Sequence, residues 1–308
     1  MPDASESLFW PMSFEARYGD GLDRTICLGG GGLYFVAWQV GYLNTAIQGG
    51  LDVKLAERVV GTSAGSVVAT SLTGGRIGRL RGQVAALSKF PPLLRAMAPA
   101  GSLRPSQLRA LTEFGDAVEA TPHTITSIGH AALAAVTPDA VRMRANLQVI
   151  LQTTSWPSPV LHITAVDAYT GERCVITESS KIRPSRAAAA SSAVPGLFPP
   201  QPIHDRKCMD GGVSGTGLHL DLVSGAGRTL ILALRNGQHP NAAGMTESEG
   251  TTETEQSLLE ASGTRTFLRT PAAIEREKLM SPEEVPQALA AGARQAEEDL
   301  PELLEFWA

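Results

Sequence analysis

Between Thr25 and Leu51 the chain carries no charged residue, and four consecutive glycines, Gly29 to Gly32, interrupt that stretch near its start. A spanning helix needs about 20 predominantly apolar residues. Here the glycine run breaks the segment early, the polar residues Gln39, Asn44 and Gln48 follow, and the pair Gly49-Gly50 closes it. The pattern predicts a buried strand over Thr25–Leu28, a glycine turn and a core helix over Leu33–Ile47, with no transmembrane segment. A shorter copy follows: Arg58-Val59-Val60 as a strand, Gly61 to Gly65 as the turn, and a helix over Ser66–Leu72 ended by Gly74-Gly75. Strand–turn–helix units in succession are how parallel strands are connected, because a parallel pair needs a crossover.

Downstream, residues 76–145 read as helices with proline-marked breaks, one at Thr137-Pro138-Asp139 with Thr137 as the cap and Pro138 at the first helical position. From 147 the period changes. Leu147–Thr153, Leu161–Asp167 and Arg173–Thr177 are strand-like, Arg186–Ser192 is a short Ala-rich helix, Lys207–Met209 is a short strand, and Arg228–Leu234 is an apolar run typical of a strand buried on both faces. Residues 236–256 are polar and expected to form a mobile loop; Thr264–Leu268 is a strand and Pro282–Glu298 a helix. The expected architecture is α/β with a mainly parallel sheet. It divides into a polar N-terminal arm (1–23) anchored by Leu8, Phe9 and Trp10, and a single domain over 24–300 with a helical insertion at about 76–145.

Composition narrows the function classes. Lys and Arg number 26 against 31 Asp and Glu, a formal charge of −5, so nothing supplies the basic surface that nucleic-acid binding needs. Cys27, Cys174 and Cys208 sit in strand-like stretches and are expected to pack as free thiols. With an N-terminus that has no basic segment, they point to a cytoplasmic protein. The six histidines and three cysteines lack metal-ligand spacing, so no metal or cofactor is expected.

Three motifs carry chemistry. Gly61-Thr62-Ser63-Ala64-Gly65 matches G-x-S-x-G, which sets a serine on a sharp strand-to-helix turn with its hydroxyl projecting from the sheet. Roughly 0.2 matches would arise by chance at this Gly and Ser content, but here a β-branched strand precedes and a small-residue helix follows. The bland alternative is a glycine turn with a cap serine. The Gly29–Gly32 run fails the dinucleotide template, because the third glycine would fall on Tyr34 or Phe35. It leaves bare N–H groups at a helix N-terminus, which suit an anion or an oxyanion, or simply close backbone packing. Asp210-Gly211-Gly212 follows a strand and presents a carboxylate at the sheet's carboxyl edge, or forms a plain turn.

Glycine run, G-x-S-x-G and D-G-G, in that order, resemble the patatin-like phospholipases. So do Ile163–Asp167 with Thr170-Gly171-Glu172, and the stretch from Ala190 to Pro200. The resemblance spans roughly Asp23 to Glu298. It implies a three-layer α/β/α fold and a Ser-Asp dyad that hydrolyses acyl esters of lipids, with Ser63 as nucleophile and Asp210 as its partner. It also implies an oxyanion hole from Gly30, Gly31, Gly32 and Ala64. Two departures stand out. The family's basic residue and further glycine after the run are replaced by Leu33, Tyr34, Phe35 and Val36, and Ser214-Gly215-Thr216-Gly217 stands where an Asn is often found.

Rival readings remain: a Ser-Asp-His hydrolase using His219 or His239 (both otherwise expected at the surface or in loops), an acyltransferase, and a non-catalytic lipid-binding module. Lys89 to Met97, mixing cations with apolar bulk, is a candidate for peripheral membrane contact or a buried connection.

Overall fold

The computed structural model describes residues 8–90, 102–234 and 251–308. Eight strands form one sheet: β1 (Arg24–Leu28), β2 (Arg58–Gly61), β3 (Leu161–Asp167), β4 (Arg173–Ile176), β5 (Gln201–Ile203), β6 (Arg206–Asp210), β7 (Arg228–Leu232) and β8 (Arg265–Arg269). Along the sheet the order is β5-β6-β3-β2-β1-β7-β8, with β4 also on β3. The five strands from β3 to β8 in that order pair parallel, while β4 and β6 run antiparallel to β3, and β5 to β6.

Parity along the central strands sorts side chains between two layers, as a period of two requires. Ile26, Leu28, Val59, Leu161, Leu230 and Leu232 face the larger core, built with α1 (Gly32–Gln48), α2 (Ala64–Thr73), α3 (Ile77–Leu87) and later helices. Cys27, Val60 and Ile231 face the opposite layer, where Leu218, Leu220 and Leu259 and the arm residues Trp10, Phe14 and Tyr18 cover them. Leu8 is fully buried in the larger core, so the arm contributes to both layers. The remaining helices are α4 (Pro105–Gly115), α5 (Pro122–Ala134), α6 (Ala140–Leu151), α7 (Pro184–Ser191), α8 (Thr251–Ala261) and α9 (Val285–Trp307). With helices on both faces, the expected mainly parallel α/β architecture is observed. Among the described residues no helix is long and apolar enough to cross a membrane.

The sequence reading needs four corrections. Leu147–Leu151 is helix, not strand, because Met143, Leu147 and Leu151 recur at intervals of four and bury one face of α6. That helix is capped by Asp139, whose side chain accepts the Val141 N–H at 2.9 Å, and not by Thr137. The Thr-Pro start occurs instead at Thr121-Pro122 of α5. Residues 251–256 belong to α8; the rest of the polar segment, and 91–97 of the Lys89–Met97 segment, lie outside the described residues. Finally, α9 continues to Trp307.

Pairing on β3 determines where the site forms. Ile163 pairs with Gly61 on one side and Ile176 on the other, and Ala165 pairs with Asp210 on one side and Cys174 on the other. Since β4 occupies one edge throughout, β2 and β6 share the opposite edge, and their carboxyl ends meet head to head across Ile163–Ala165.

The closest helix contact in the larger core is between α1 and α9. A Cβ on Gly292 would lie 2.0 Å from the Trp38 carbonyl oxygen, and one on Gly41 would lie 2.1 Å from that of Leu289. Backbone meets backbone there, so no side chain can move aside. Gly292→Ala is expected to destabilise the protein by about 1–3 kcal/mol, as overpacking does. Gly82→Ala, in α3 with nothing within 4 Å of the added methyl, is expected to stabilise by about 0.5–1 kcal/mol. Urea unfolding of both variants checks this pair of opposite signs.

Candidate active site

Gly61 ends β2 and Ala64 begins α2, leaving Thr62 and Ser63 to reverse the chain. Ser63 takes φ 50° and ψ −118°, a conformation that costs a non-glycine residue on the order of 1–3 kcal/mol. Its surroundings impose it. The Ser63 N–H donates to Ser191 Oγ at 2.8 Å, and Ser66 Oγ donates to the Ser63 carbonyl at 2.6 Å. The Gly65 N–H donates to the Gly29 carbonyl at 3.1 Å, joining this turn to the glycine run. A Cβ on Gly65 would sit 1.9 Å from the Leu28 carbonyl oxygen, so the second motif glycine is required by close approach of β1. Gly61 is confined in the same way, 2.7 Å from the Gly65 carbonyl oxygen, and a Cβ on Gly211 would sit 2.7 Å from Thr164 Oγ1.

Asp210 arrives from the other end of the shared β3 edge. It is 4% exposed. Its N–H donates to the Ala193 carbonyl at 3.0 Å, and its Oδ1 accepts the Gly212 N–H at 2.8 Å. Its Oδ2 has no hydrogen-bond partner among the described residues. Burial pushes the Asp210 carboxyl up to about 6, against opposing contributions from the Gly212 N–H and the Ser63 hydroxyl. Ser63 thus lies near enough to act on the ionisation of Asp210, while Oδ2 remains unengaged. Contacts of this kind are often loose before substrate binds.

The glycine run faces the same point. A Cβ on Gly30 would lie 3.2 Å from Ser63 Cβ and 3.9 Å from its Oγ. The Gly30 N–H is engaged, donating to the Gly217 carbonyl at 3.3 Å. Gly32 and Ala64 each open a helix and Gly31 caps one; the first N–H groups of a helix have no acceptor inside it. Gly29 itself is held by Gln39, whose Nε2 donates to its carbonyl at 2.9 Å.

Gly29 to Gly32, Ser63, Ala64 and Asp210 line one cavity of about 1180 Å³, together with Leu33, Val36, Val67, Leu147 and Phe198. Of the bulky residues after the glycine run, Leu33 and Val36 reach this cavity, whereas Tyr34 and Phe35 are buried in the core. Charged lining residues among those described are all carboxylates: Asp116, Asp210, Glu255 and Glu277.

Two neighbours, Ser191 and Glu255, are not singled out by the sequence, and a third, His219, lies elsewhere than expected. Ser191 lies in the Ala190–Pro200 stretch, and that stretch serves both halves of the site: Ser191 holds Ser63 and the Ala193 carbonyl holds Asp210. Glu255, expected in a mobile loop, is buried in α8 and accepts the Leu220 N–H at 3.1 Å; burial, partly offset by Thr216, pushes its carboxyl up to about 7. His219, expected at the surface, is fully buried and does not line the cavity. Its Nδ1 lies 3.4 Å from Arg173 Nη1 and its Nε2 lies 3.3 Å from the Gly211 carbonyl oxygen. Burial, reinforced by the Arg173 charge, pushes its pKa down to about 3. His239 lies outside the described residues.

Among solved structures, the crystal structure of VipD from Legionella pneumophila aligns with a TM-score of 0.44 and 14% identity, covering 91% of this chain and 67% of that one. That of the type III effector protein ExoU aligns with a TM-score of 0.32 and 18% identity, covering 90% of this chain and 53% of the other, so the chain spans about half of ExoU. No curated protein matches in sequence. The family model described as patatin-like phospholipase matches residues 26–222. That interval is more than half of the chain and runs from β1 through both the serine turn and the aspartate turn, so the chain belongs to the patatin-like phospholipase family.

Proposed function

We propose that the protein is a serine acyl hydrolase that cleaves carboxylic ester bonds of lipids through a Ser63–Asp210 dyad. The observation that carries this reading is the strained Ser63 turn set beside a buried carboxylate whose Oδ2 is unengaged, both in the wall of a large, mainly apolar cavity. Such a cavity suits acyl chains.

In the proposed reaction, Ser63 Oγ attacks the ester carbonyl carbon as its proton passes to Asp210 Oδ2. The oxyanion is stabilised by the N–H groups of Gly31, Gly32 and Ala64, with Gly30 shaping the approach. Collapse of the intermediate expels the alcohol, protonated from Asp210, and leaves an acyl-Ser63. Water, activated by the same carboxylate, then releases the fatty acid. A carboxyl near its ordinary pKa of about 3.9 is a weak base; burial makes Asp210 a stronger one while leaving it ionised at neutral pH. The triad alternative finds no support at His219, whose ring nitrogens face Arg173 and Gly211.

Fluorophosphonate labelling with peptide mapping tests the nucleophile: wild type is expected to be labelled at Ser63, and Ser63→Ala to lose both label and esterase activity. Retained activity in Ser63→Ala would overturn the reading. Asp210→Asn is expected to lower kcat/KM by about 10²-fold or more. In wild type, kcat/KM should rise with pH through about 6 as Asp210 ionises, measured with a substrate that does not titrate there.

Asp210 also imposes a stability cost with a definite sign. Its folded-state pKa is raised, so between about pH 4 and pH 6 the native state binds more protons than the unfolded one, and stability falls as pH rises through that window. Asp210→Asn removes the term. The variant is expected to gain on the order of 3 kcal/mol over wild type between pH 4 and pH 8, read from urea unfolding at both pH values.

A further inference from the structure

One peptide group links the interior of the protein to Asp210. The Gly211–Gly212 peptide gives its N–H to Asp210 Oδ1 at 2.8 Å, and its carbonyl oxygen accepts from Ser214 Oγ at 2.8 Å and lies 3.3 Å from His219 Nε2. A peptide is planar, so whatever holds the oxygen also aims the N–H. The His219 tautomer follows from its other contact. A guanidinium has only donors, so with Arg173 Nη1 at 3.4 Å the imidazole Nδ1 is the acceptor, and the proton resides on Nε2, directed at the Gly211 carbonyl.

Arg173 is itself fixed. It donates to both oxygens of Asp221, at 2.6 and 2.8 Å, and to the Trp10 and Pro11 carbonyls of the arm at 2.9 and 3.0 Å. Asp221 in turn accepts the Ser13 N–H at 3.1 Å. Charged or titratable groups acting on His219 are Arg173 and Asp221, with Glu255 beside them through Leu220 and Thr216.

We infer that His219, its tautomer selected by Arg173, is a positioning residue that orients Asp210 through the Gly211–Gly212 peptide, keeping Oδ1 occupied and Oδ2 directed to Ser63. The inference rests on the Ser63–Asp210 reading. It assigns this buried histidine to the reaction without letting it touch the substrate. Because its pKa is pushed down to about 3, the imidazole stays neutral wherever Asp210 works, and the tautomer persists.

The test compares His219→Leu, which removes both contacts, with His219→Gln, whose amide oxygen can accept from Arg173 and whose Nε2 can donate to Gly211. His219→Leu is expected to lower kcat by about tenfold or more with KM changed less than about threefold. Its acid limb should move above that of wild type, by about half a pH unit, because the Gly211 carbonyl then keeps only Ser214 Oγ and the Gly212 N–H steadies the Asp210 carboxylate less. His219→Gln should stay within about threefold of wild type and keep its limb. Should the leucine variant not fold, His219→Asn replaces it: asparagine suits the positive φ of 56° at this position, and its shorter amide does not reach Gly211.

A leucine or asparagine variant with wild-type kcat and limb would overturn the inference. So would a folded glutamine variant as impaired as the leucine one, since that demands a property only histidine has. Ser63 labelling of wild type and Ser63→Ala separates this failure from failure of the dyad itself.

Discussion

The site depends on how β3 divides its two edges. A strand has two rows of backbone donors and acceptors, and β4 takes one of them along Ile163–Val166. Only the other row is left for both β2, which runs parallel, and β6, which runs antiparallel. Two strands on one edge must abut, and opposite directions make them abut at their carboxyl ends. A serine two residues beyond the end of β2 and an aspartate at the end of β6 are thereby neighbours, although 147 positions separate Ser63 from Asp210 in the chain. The juxtaposition is a consequence of hydrogen-bond geometry in the sheet, before any side-chain contact is considered.

Holding that arrangement needs support from the layer beneath. The Arg173–Asp221 pair is almost wholly buried, with side chains 2% exposed on both partners. A buried pair of this kind is weak evidence for stability, because desolvation offsets the attraction. Its geometric effect is clearer: it ties the N-terminal arm, β4 and the segment after Asp210 into one block. That segment also reaches the glycine run, through the Gly217 carbonyl on the Gly30 N–H. The serine turn, the aspartate turn and the glycine run are thus cross-braced, which is what allows Ser63 to remain in a costly conformation.

How much of this is legible in the sequence varies with the range of the interaction involved. The two strand–glycine–helix units, the serine turn and the buried strand over Arg228–Leu232 are local patterns, and each is found where periodicity and glycine spacing place it. Leu147–Thr153 misleads because seven residues of mixed apolar character fit a strand and a helix equally well; only Met143, four residues earlier, reveals the helical repeat. Glu255 and His219 are invisible for a different reason. A glutamate among threonines and a histidine after glycines look solvated, and their burial comes from partners such as Leu220, Thr216 and Arg173, the last far away in the chain. Ser191 has no local signal beyond its place in the family-like Ala190–Pro200 stretch.

The departure after the glycine run has a physical reading in this frame. Helix α1 sorts the four substituted residues by their angular position: Leu33 and Val36, three apart, share the face that lines the cavity, while Tyr34 and Phe35 turn into the core. Leu33 therefore meets the cavity just after the glycine run, where the resemblance implies that a basic residue should follow, beside lining carboxylates and with no cation among the described lining residues. In the proposed reaction, stabilisation of a developing oxyanion cannot come from that side chain. It falls to backbone N–H groups at the starts of α1 and α2, whose dipoles both favour negative charge there. Backbone donors are insensitive to side-chain replacement, so in that proposal Leu33 leaves the stabilisation of the oxyanion intact.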